Sequence, residues 1–289
     1  MILTRRTLVR TLAALSLAPP LTALAQAALA KAAPLPGPQA TTEGATVRLL
    51  AGREAAGIVQ AGLELRLEAG WKTYWRYPGD SGVPPRFDWS GAQNVASVTV
   101  GWPAPRRFSD GSGGFSIGYK DTVILPLTVR LADPGKPALL DLNLDFAVCQ
   151  ALCVPAQARL ALALPGTGAD DPSLAAARAL MPVETALGAP GPLSVQSVSL
   201  DSSRTPPQII VTAKAGAGAT LLLEGPDEGW ALPLPEPAGA AGANLRFAAP
   251  LLGVPSDAPA TGNRLRLTLI EGTRAIETLV PLPPLPARR

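Results

Sequence analysis

Short runs in which apolar and polar residues alternate fill most of the chain after residue 46. Residues 62–68 alternate strictly between the two kinds, which is typical of a half-buried β-strand. In 138–148 the even-numbered positions from 140 onwards are apolar and share one face, whereas Asn143 and Asp145 lie on the other. With Gly/Pro turns between the runs and no long helical pattern, this half of the chain predicts an all-β sandwich. Its other predicted strands are 47–50, 95–101, 122–130 and 157–164.

The alternation stops after residue 165 and returns near residue 193. Asp171 followed by Pro172 predicts the start of a short helix over 174–180, because aspartate caps helices and proline fits their first position. Residues 188–192 read Gly-Ala-Pro-Gly-Pro, which is typical of a linker. The returning pattern predicts a second all-β domain with strands at 193–200, 208–213, 219–224, 244–248, 264–271 and 275–280.

The first thirty residues have the composition of a secretory signal peptide. Three arginines and no acid precede a short apolar stretch, and small-x-small sites follow it. We therefore predict a cleaved signal peptide over 1–30 and export to the periplasm, by the general or the twin-arginine route. A flexible lead-in over 31–45 is predicted from its Pro, Ala and Gly content. The predicted order then continues with a first β-sandwich over 46–165, a helix and linker over 166–192, and a second β-sandwich over 193–289.

The charge and the missing histidine exclude several function classes. The net charge of +3 comes from the predicted signal peptide, since the remainder has 22 basic and 22 acidic residues. With no Lys/Arg run in that remainder, no nucleic-acid partner is expected. A chain without histidine cannot form a Ser-His-Asp triad, a Cys-His pair or an imidazole metal site. Two cysteines cannot form a four-cysteine zinc site, and we expect no resident metal or cofactor.

Eleven of the 13 aromatic residues lie between Trp71 and Phe146. An aromatic core in the first domain would explain this clustering. However, residues 71–77 hold more aromatic side chains than one strand face can bury. We therefore predict that Trp71, Tyr74 and Trp75 contribute to a partner-binding surface.

The only two cysteines, Cys149 and Cys153, lie between two predicted strands, where a hairpin end would bring them together. A disulfide that closes so short a loop adds little stability, which weakens a purely structural role. Three uses stay open on these residues alone: redox exchange, a static disulfide, and Cu(I) binding by the two thiolates. Met181 is the only other soft ligand after the predicted signal peptide.

Several motifs in order resemble one protein family. Residues 70–82 read GWKTYWRYPGDSG and 146–155 read FAVCQALCVP, which are similar to signatures of the periplasmic N-terminal regions of DsbD-like and ScsB-like thiol:disulfide interchange proteins. Trp102-Pro103, Gly118-Tyr119 and Leu125-Pro126-Leu127 follow in the same order. The resemblance covers 46–165 closely. It implies two immunoglobulin-like β-sandwich domains in tandem, here as a stand-alone soluble protein.

The resemblance also implies roles for particular residues. Cys149 and Cys153 would be the redox pair, with Cys153 forming the mixed disulfide and Cys149 resolving it. Phe108 would be the aromatic cap that shields the pair, on a loop with several glycines. Basic residues, Arg106 and Arg107, stand where the family has acids, and they would favour a thiolate if the loop covers the cysteines.

The implied activity is a thiol:disulfide relay, that is, a possible protein-disulfide reductase. It would take electrons from a membrane-embedded transporter or its thioredoxin-like domain and pass them to a thioredoxin-fold periplasmic protein. Because the sequence ends at Arg289 without a membrane-spanning segment, we expect the transporter to be a separate chain. The alternatives are a partner-docking tandem sandwich with a structural disulfide, and a Cu(I)-binding protein of copper tolerance.

Overall fold

The computed structural model describes residues 35–80, 82–109, 114–164 and 171–285. The predicted signal peptide over 1–30 lies outside these residues. Within them, no helix is both long enough and apolar enough to cross a membrane. Residues 36–289 form one compact unit that contains two β-sandwiches.

The first sandwich consists of two mainly antiparallel sheets around one apolar core. Its first sheet has the order β1 (Gln39–Thr42), β2 (Ala45–Leu50), β4 (Ile58–Leu67), β10 (Thr122–Leu131) and β7 (Val95–Val100), with β3 (Glu54–Ala55) beside β4. Its second sheet has the order β12 (Cys153–Leu164), β11 (Ala138–Cys149), β5 (Lys72–Gly79), β9 (Phe115–Lys120) and β8 (Arg106–Ser109), with β6 (Arg86–Asp88) beside β11.

The second sandwich repeats this arrangement with two four-stranded sheets. One sheet has the order β13 (Val183–Glu184), β20 (Arg274–Pro281), β19 (Arg264–Glu271) and β16 (Thr220–Glu224). The other has the order β14 (Ser194–Asp201), β15 (Gln208–Lys214), β18 (Asn244–Pro250) and β17 (Glu236–Ala241). The prediction of an all-β fold with two sandwiches is confirmed.

The alternating patterns place their residues as predicted. In β11 the apolar even-numbered positions from 140 to 148 are buried, while Asn143 and Asp145 are exposed. The predicted lead-in over 31–45 is wrong in its second part, because Gln39–Thr42 pairs with β2 as a strand. Proline and glycine near residue 37 do not prevent this, since the strand itself contains neither.

Helix α1 (Pro172–Ala179) lies between the two sandwiches in sequence. Asp171 caps it by accepting a hydrogen bond from the Ser173 backbone N–H at 2.9 Å, as predicted. Leu174 packs against the first sandwich at Gly62, where an added Cβ would lie 2.4 Å from the leucine Cδ2. Glycine in that strand therefore makes room for the helix.

Candidate functional site

The hairpin of β11 and β12 ends in the two cysteines, which face each other directly. The strand register pairs Cys149 with Cys153, and their Sγ atoms are unbonded and 2.7 Å apart. Cys149 is only 7% exposed, whereas Cys153 is open to solvent. A disulfide can therefore form and open with little backbone movement. An incoming molecule can reach one sulfur of the pair and not the other.

The sequence favours a tight turn at this point. Only three residues separate the cysteines, and the Gln150 backbone N–H donates to the Leu152 carbonyl at 3.2 Å. Leu152 projects from the turn with 79% of its surface exposed. Pro155 is tolerated in β12 because that strand is the edge of its sheet, where one row of backbone groups needs no partner.

Tyr74 on β5 completes the immediate surroundings of the pair. Its ring is buried, and its hydroxyl oxygen lies 2.8 Å from the Cys153 Sγ. Burial raises the pKa of Tyr74 well above its ordinary value, and the contacts with Cys153 and Cys149 raise it further. The hydroxyl therefore keeps its proton and can donate a hydrogen bond to the Cys153 sulfur.

A row of side chains crosses four strands at the cysteine end of the second sheet. The registers place Cys149 opposite both Cys153 and Lys72. They also place Lys72 opposite Lys120. Burial raises the pKa of the Cys149 thiol and its contact with Cys153 raises it further, while Tyr74 and Lys72 oppose the shift without cancelling it. The covered thiol is thus protonated at neutral pH.

Phe108 on β8 lies beside this row. Its ring centroid is 5.7 Å from the Lys72 Nζ and 5.0 Å from the Lys120 Nζ, within the range of cation–π attraction. The Lys72 ammonium also donates to the Ser116 hydroxyl at 3.2 Å. Residues 110–113, which include Gly111 and Gly113 of the predicted cap loop, lie outside the described residues.

Comparison with known proteins agrees with this geometry. Residues 46–165 match the family described as "Thiol:disulfide interchange protein DsbD, N-terminal". The first sandwich is a DsbD N-terminal domain. The resemblance found in the motifs is confirmed, and the family is one of thiol:disulfide interchange proteins. Comparison with curated protein sequences finds no match.

The second sandwich also has a counterpart among solved structures. The crystal structure of the N-terminal periplasmic domain of ScsB from Proteus mirabilis matches with a TM-score of 0.67 and 24% sequence identity. The match covers 85% of this chain and 97% of that one. It extends well beyond the DsbD N-terminal domain, so the shared fold includes both sandwiches.

The structure corrects the predicted environment of the thiols. Arg107 of the DsbD N-terminal domain lies over the Phe115 ring, 3.4 Å from its centroid, and its Nη2 is 2.5 Å from the Glu236 Oε1 of the second sandwich. The guanidinium is thus engaged with the second sandwich, and the prediction that Arg107 favours a thiolate is wrong. Arg106 is exposed, and its role at the thiols stays a prediction, as does the cap role of Phe108.

The predicted aromatic surface needs a second correction. Trp75 is completely buried in the core of the DsbD N-terminal domain, so it cannot contact a partner. Tyr74 is buried as well and offers only its hydroxyl to the cysteines. Strand β5 has both faces covered, which is why it holds more aromatic residues than a half-exposed strand could. Trp71 is partly exposed, and its contribution to a partner surface stays a prediction.

Sequence reasoning missed Lys72 as the cation beside the buried thiol. Its position opposite Cys149 depends on the pairing of β5 with β11, which no local pattern reveals. Met181, the candidate soft ligand, has its sulfur 3.3 Å from the position that a Cβ on Gly101 would occupy, against the β7 side of the sandwich. Among the described residues, no cluster of three or more His, Cys, Asp or Glu side chains could hold a metal ion.

Proposed function

We propose that this protein is a periplasmic thiol:disulfide exchange relay, with Cys153 as the sulfur that reacts with partners and Cys149 as the resolving sulfur. The observation that carries this assignment is the asymmetry of the pair. Cys153 is exposed and touched by the Tyr74 hydroxyl, whereas Cys149 is covered. The family of the first sandwich and the periplasmic ScsB domain of like fold support a role in thiol:disulfide interchange.

The oxidised protein would accept two electrons from a dithiol donor. A donor thiolate attacks the Cys153 Sγ, the disulfide breaks, and Cys149 leaves as a thiolate near the Lys72 ammonium before taking a proton. The donor's second thiolate then attacks its own sulfur in the mixed disulfide, which releases the Cys153 thiolate and an oxidised donor. The Tyr74 hydroxyl, which lies 2.8 Å from the Cys153 Sγ, stabilises that thiolate.

The reduced protein would then pass both electrons on. The Cys153 thiolate attacks the disulfide of an acceptor and forms a mixed disulfide. Cys149 loses its proton and attacks the Cys153 Sγ, which releases the acceptor as a dithiol and restores the internal disulfide. A thioredoxin-fold periplasmic protein fits the acceptor, and a membrane-embedded transporter fits the donor. This activity is that of a protein-disulfide reductase.

Trapping of the mixed disulfide tests the assignment. The Cys149→Ser variant should accumulate a disulfide-linked adduct with an oxidised thioredoxin-fold protein, visible as a mass increase that a reductant removes. The matched Cys153→Ser variant should form little adduct, because its remaining thiol is covered. Equal trapping by both variants, or none by Cys149→Ser, would contradict the proposed roles.

A further inference from the structure

Strand β5 connects the redox pair to the second sandwich. Its first three residues line the cysteine hairpin, where the Thr73 hydroxyl donates to the Ala147 carbonyl at 2.9 Å and Tyr74 contacts Cys153. Two residues further on, the side chains of Arg76 and Tyr77 bond to the second sandwich. The start of β5 is thus bonded to the cysteine hairpin, and the residues that follow are bonded to the second sandwich. Only one residue separates Tyr74 from Arg76.

Arg76 lies in a largely covered ionic network between the sandwiches. Its guanidinium bonds to both Glu224 carboxylate oxygens at 2.8 and 2.7 Å, and to the Glu277 Oε2 at 2.6 Å. Arg266 pairs with the other oxygen of Glu277. Burial alone would raise the pKa of Glu277, but Arg76 and Arg266 lower it below its usual value. The Glu277 carboxyl is therefore charged at neutral pH. It and Glu224 hold the guanidinium in a fixed orientation through three hydrogen bonds.

Two more contacts hold the same side of the first sandwich. The Tyr77 hydroxyl donates to the Leu232 carbonyl at 2.7 Å. Arg107, which precedes Phe108 on the edge strand β8, pairs with Glu236. The strand that carries Tyr74 and the strand that carries Phe108 are therefore both attached to the second sandwich.

We propose that Arg76 is a positioning residue for the Tyr74–Cys153 contact, and that the second sandwich, through Glu224 and Glu277, sets the reactivity of the redox pair. The inference rests on the proposed function in that it concerns the same two sulfurs. The second sandwich is then part of the redox unit, although no hydrogen bond links its described residues to a cysteine.

The strength of the hydrogen bond from Tyr74 to Cys153 depends steeply on its geometry. A donor that turns away from the line to the sulfur loses much of its interaction, because hydrogen bonds weaken steeply when the angle at the hydrogen falls below about 120°. The Tyr74–Cys153 contact at 2.8 Å therefore needs a fixed orientation of the tyrosine. The strand register of β5 with β9 shifts between Tyr74 and Gly79, so the ladder alone does not hold this segment regularly. The bonds from Arg76 to the two carboxylates supply that restraint from outside the sheet.

The test measures iodoacetamide modification of each cysteine in the reduced full chain across a pH series, with the two sites separated by peptide mass spectrometry. Tyr74→Phe should raise the pH midpoint of Cys153 modification and slow it about tenfold at neutral pH, because a charge-assisted hydrogen bond is lost. Glu224→Gln should shift the midpoint in the same direction, with a slowing of about threefold. In the double variant Tyr74→Phe/Glu224→Gln, the second change should not slow Cys153 modification further or shift its pH midpoint further.

Asp141→Asn is the matched control, because Asp141 is also a covered carboxylate, paired with Arg159 at 3.2 Å within the first sandwich. It should lower stability without moving the Cys153 midpoint. A midpoint that moves equally in Asp141→Asn and Glu224→Gln, or fully additive effects of Tyr74→Phe and Glu224→Gln, would overturn the inference. If wild-type protein exchanges with no thioredoxin-fold partner but the coupling is present, the proposed function fails and the positioning role stands.

Discussion

The two sandwiches share an architecture and differ in where they place reactive and charged side chains. The first has both cysteines and eleven of the 13 aromatic residues, whereas the second has only Trp230 and Phe247. Both of those are buried in the second core. The second sandwich instead directs Glu224 and Glu277 at an arginine of the first. The same fold thus holds a reactive site in the first sandwich and a surface that binds the first sandwich in the second. Function therefore depends on the residues that each fold carries and not on the fold itself.

The apolar core of the first sandwich also includes residues of the second sandwich. Leu222 and Leu234 of the second sandwich are buried in the same apolar cluster as the first core. The two copies therefore share apolar surface as well as ion pairs. We therefore expect the two sandwiches to unfold together.

The largest expected effect comes from the two most buried aromatic side chains. Trp75→Ala in the first core and Phe247→Ala in the second should each lower the free energy of unfolding by about 3–5 kcal/mol, because both leave cavities. Only Trp75→Ala should also change Cys153 modification in the folded protein, since Trp75 follows Tyr74 on the same strand. Urea unfolding monitored by circular dichroism, with modification rates at low urea, checks both statements. Equal changes in Cys153 reactivity would contradict the difference between the copies.

Next in size is the effect of a single hydroxyl. Tyr74→Phe should slow exchange with a thioredoxin-fold partner about tenfold and leave stability nearly unchanged, because the donor to the Cys153 thiolate is lost. Tyr119→Phe is the matched control, since the Tyr119 hydroxyl donates to the Pro103 carbonyl at 2.8 Å and touches no sulfur. It should cost about 1 kcal/mol of stability and leave exchange intact. Slower exchange in Tyr119→Phe together with unchanged exchange in Tyr74→Phe would show that the Tyr74 hydroxyl does not act on the reactive sulfur.

Sequence patterns predict the strands of both copies well, because burial of alternating residues is a local property. Strand β11 follows its pattern from residue to residue, and helix α1 begins at its predicted aspartate cap. Alternation does not reveal a strand whose two faces are both covered, such as β5. Nor does it reveal the strand Gln39–Thr42, because four polar and small residues give no sign of their pairing with β2.

The candidate site likewise contains residues that local sequence predicts and residues that only long-range strand pairing brings together. The cysteines and their proximity follow from spacing within one hairpin. The cation beside them does not, because Lys72 reaches Cys149 across a strand pairing between residues far apart in sequence. The prediction for Arg107 depends on its neighbour Phe108, but adjacent residues on a strand point to opposite faces. Its partner Glu236 belongs to the other sandwich, which no local motif could indicate.

A smaller effect is expected from the charge beside the buried thiol. Lys72→Met should raise the pKa of Cys149 further and lengthen the lifetime of the mixed disulfide about threefold, because the resolving thiolate loses a stabilising cation. Lys136→Met, which removes an exposed lysine paired with Asp133, is the control and should change nothing. Quenched-flow trapping of the adduct with a thioredoxin-fold partner measures the lifetime. An unchanged lifetime in Lys72→Met would show that the ammonium does not act on the resolving step.

The smallest expected effect is the loss of stability at acidic pH through the ion pairs between the two sandwiches. Burial would raise the pKa of Glu277, but Arg76 and Arg266 lower it below its ordinary value of about 4.3. A carboxyl with a lowered pKa in the folded state stabilises the protein above its unfolded pKa, and this stability is lost as the pH falls through the folded pKa. Wild-type protein should therefore lose stability below about pH 4 more steeply than Glu277→Gln, which has no proton to take up there. Urea unfolding at neutral and acidic pH compares the two slopes, and parallel slopes would mean that Glu277 does not contribute to the acid response.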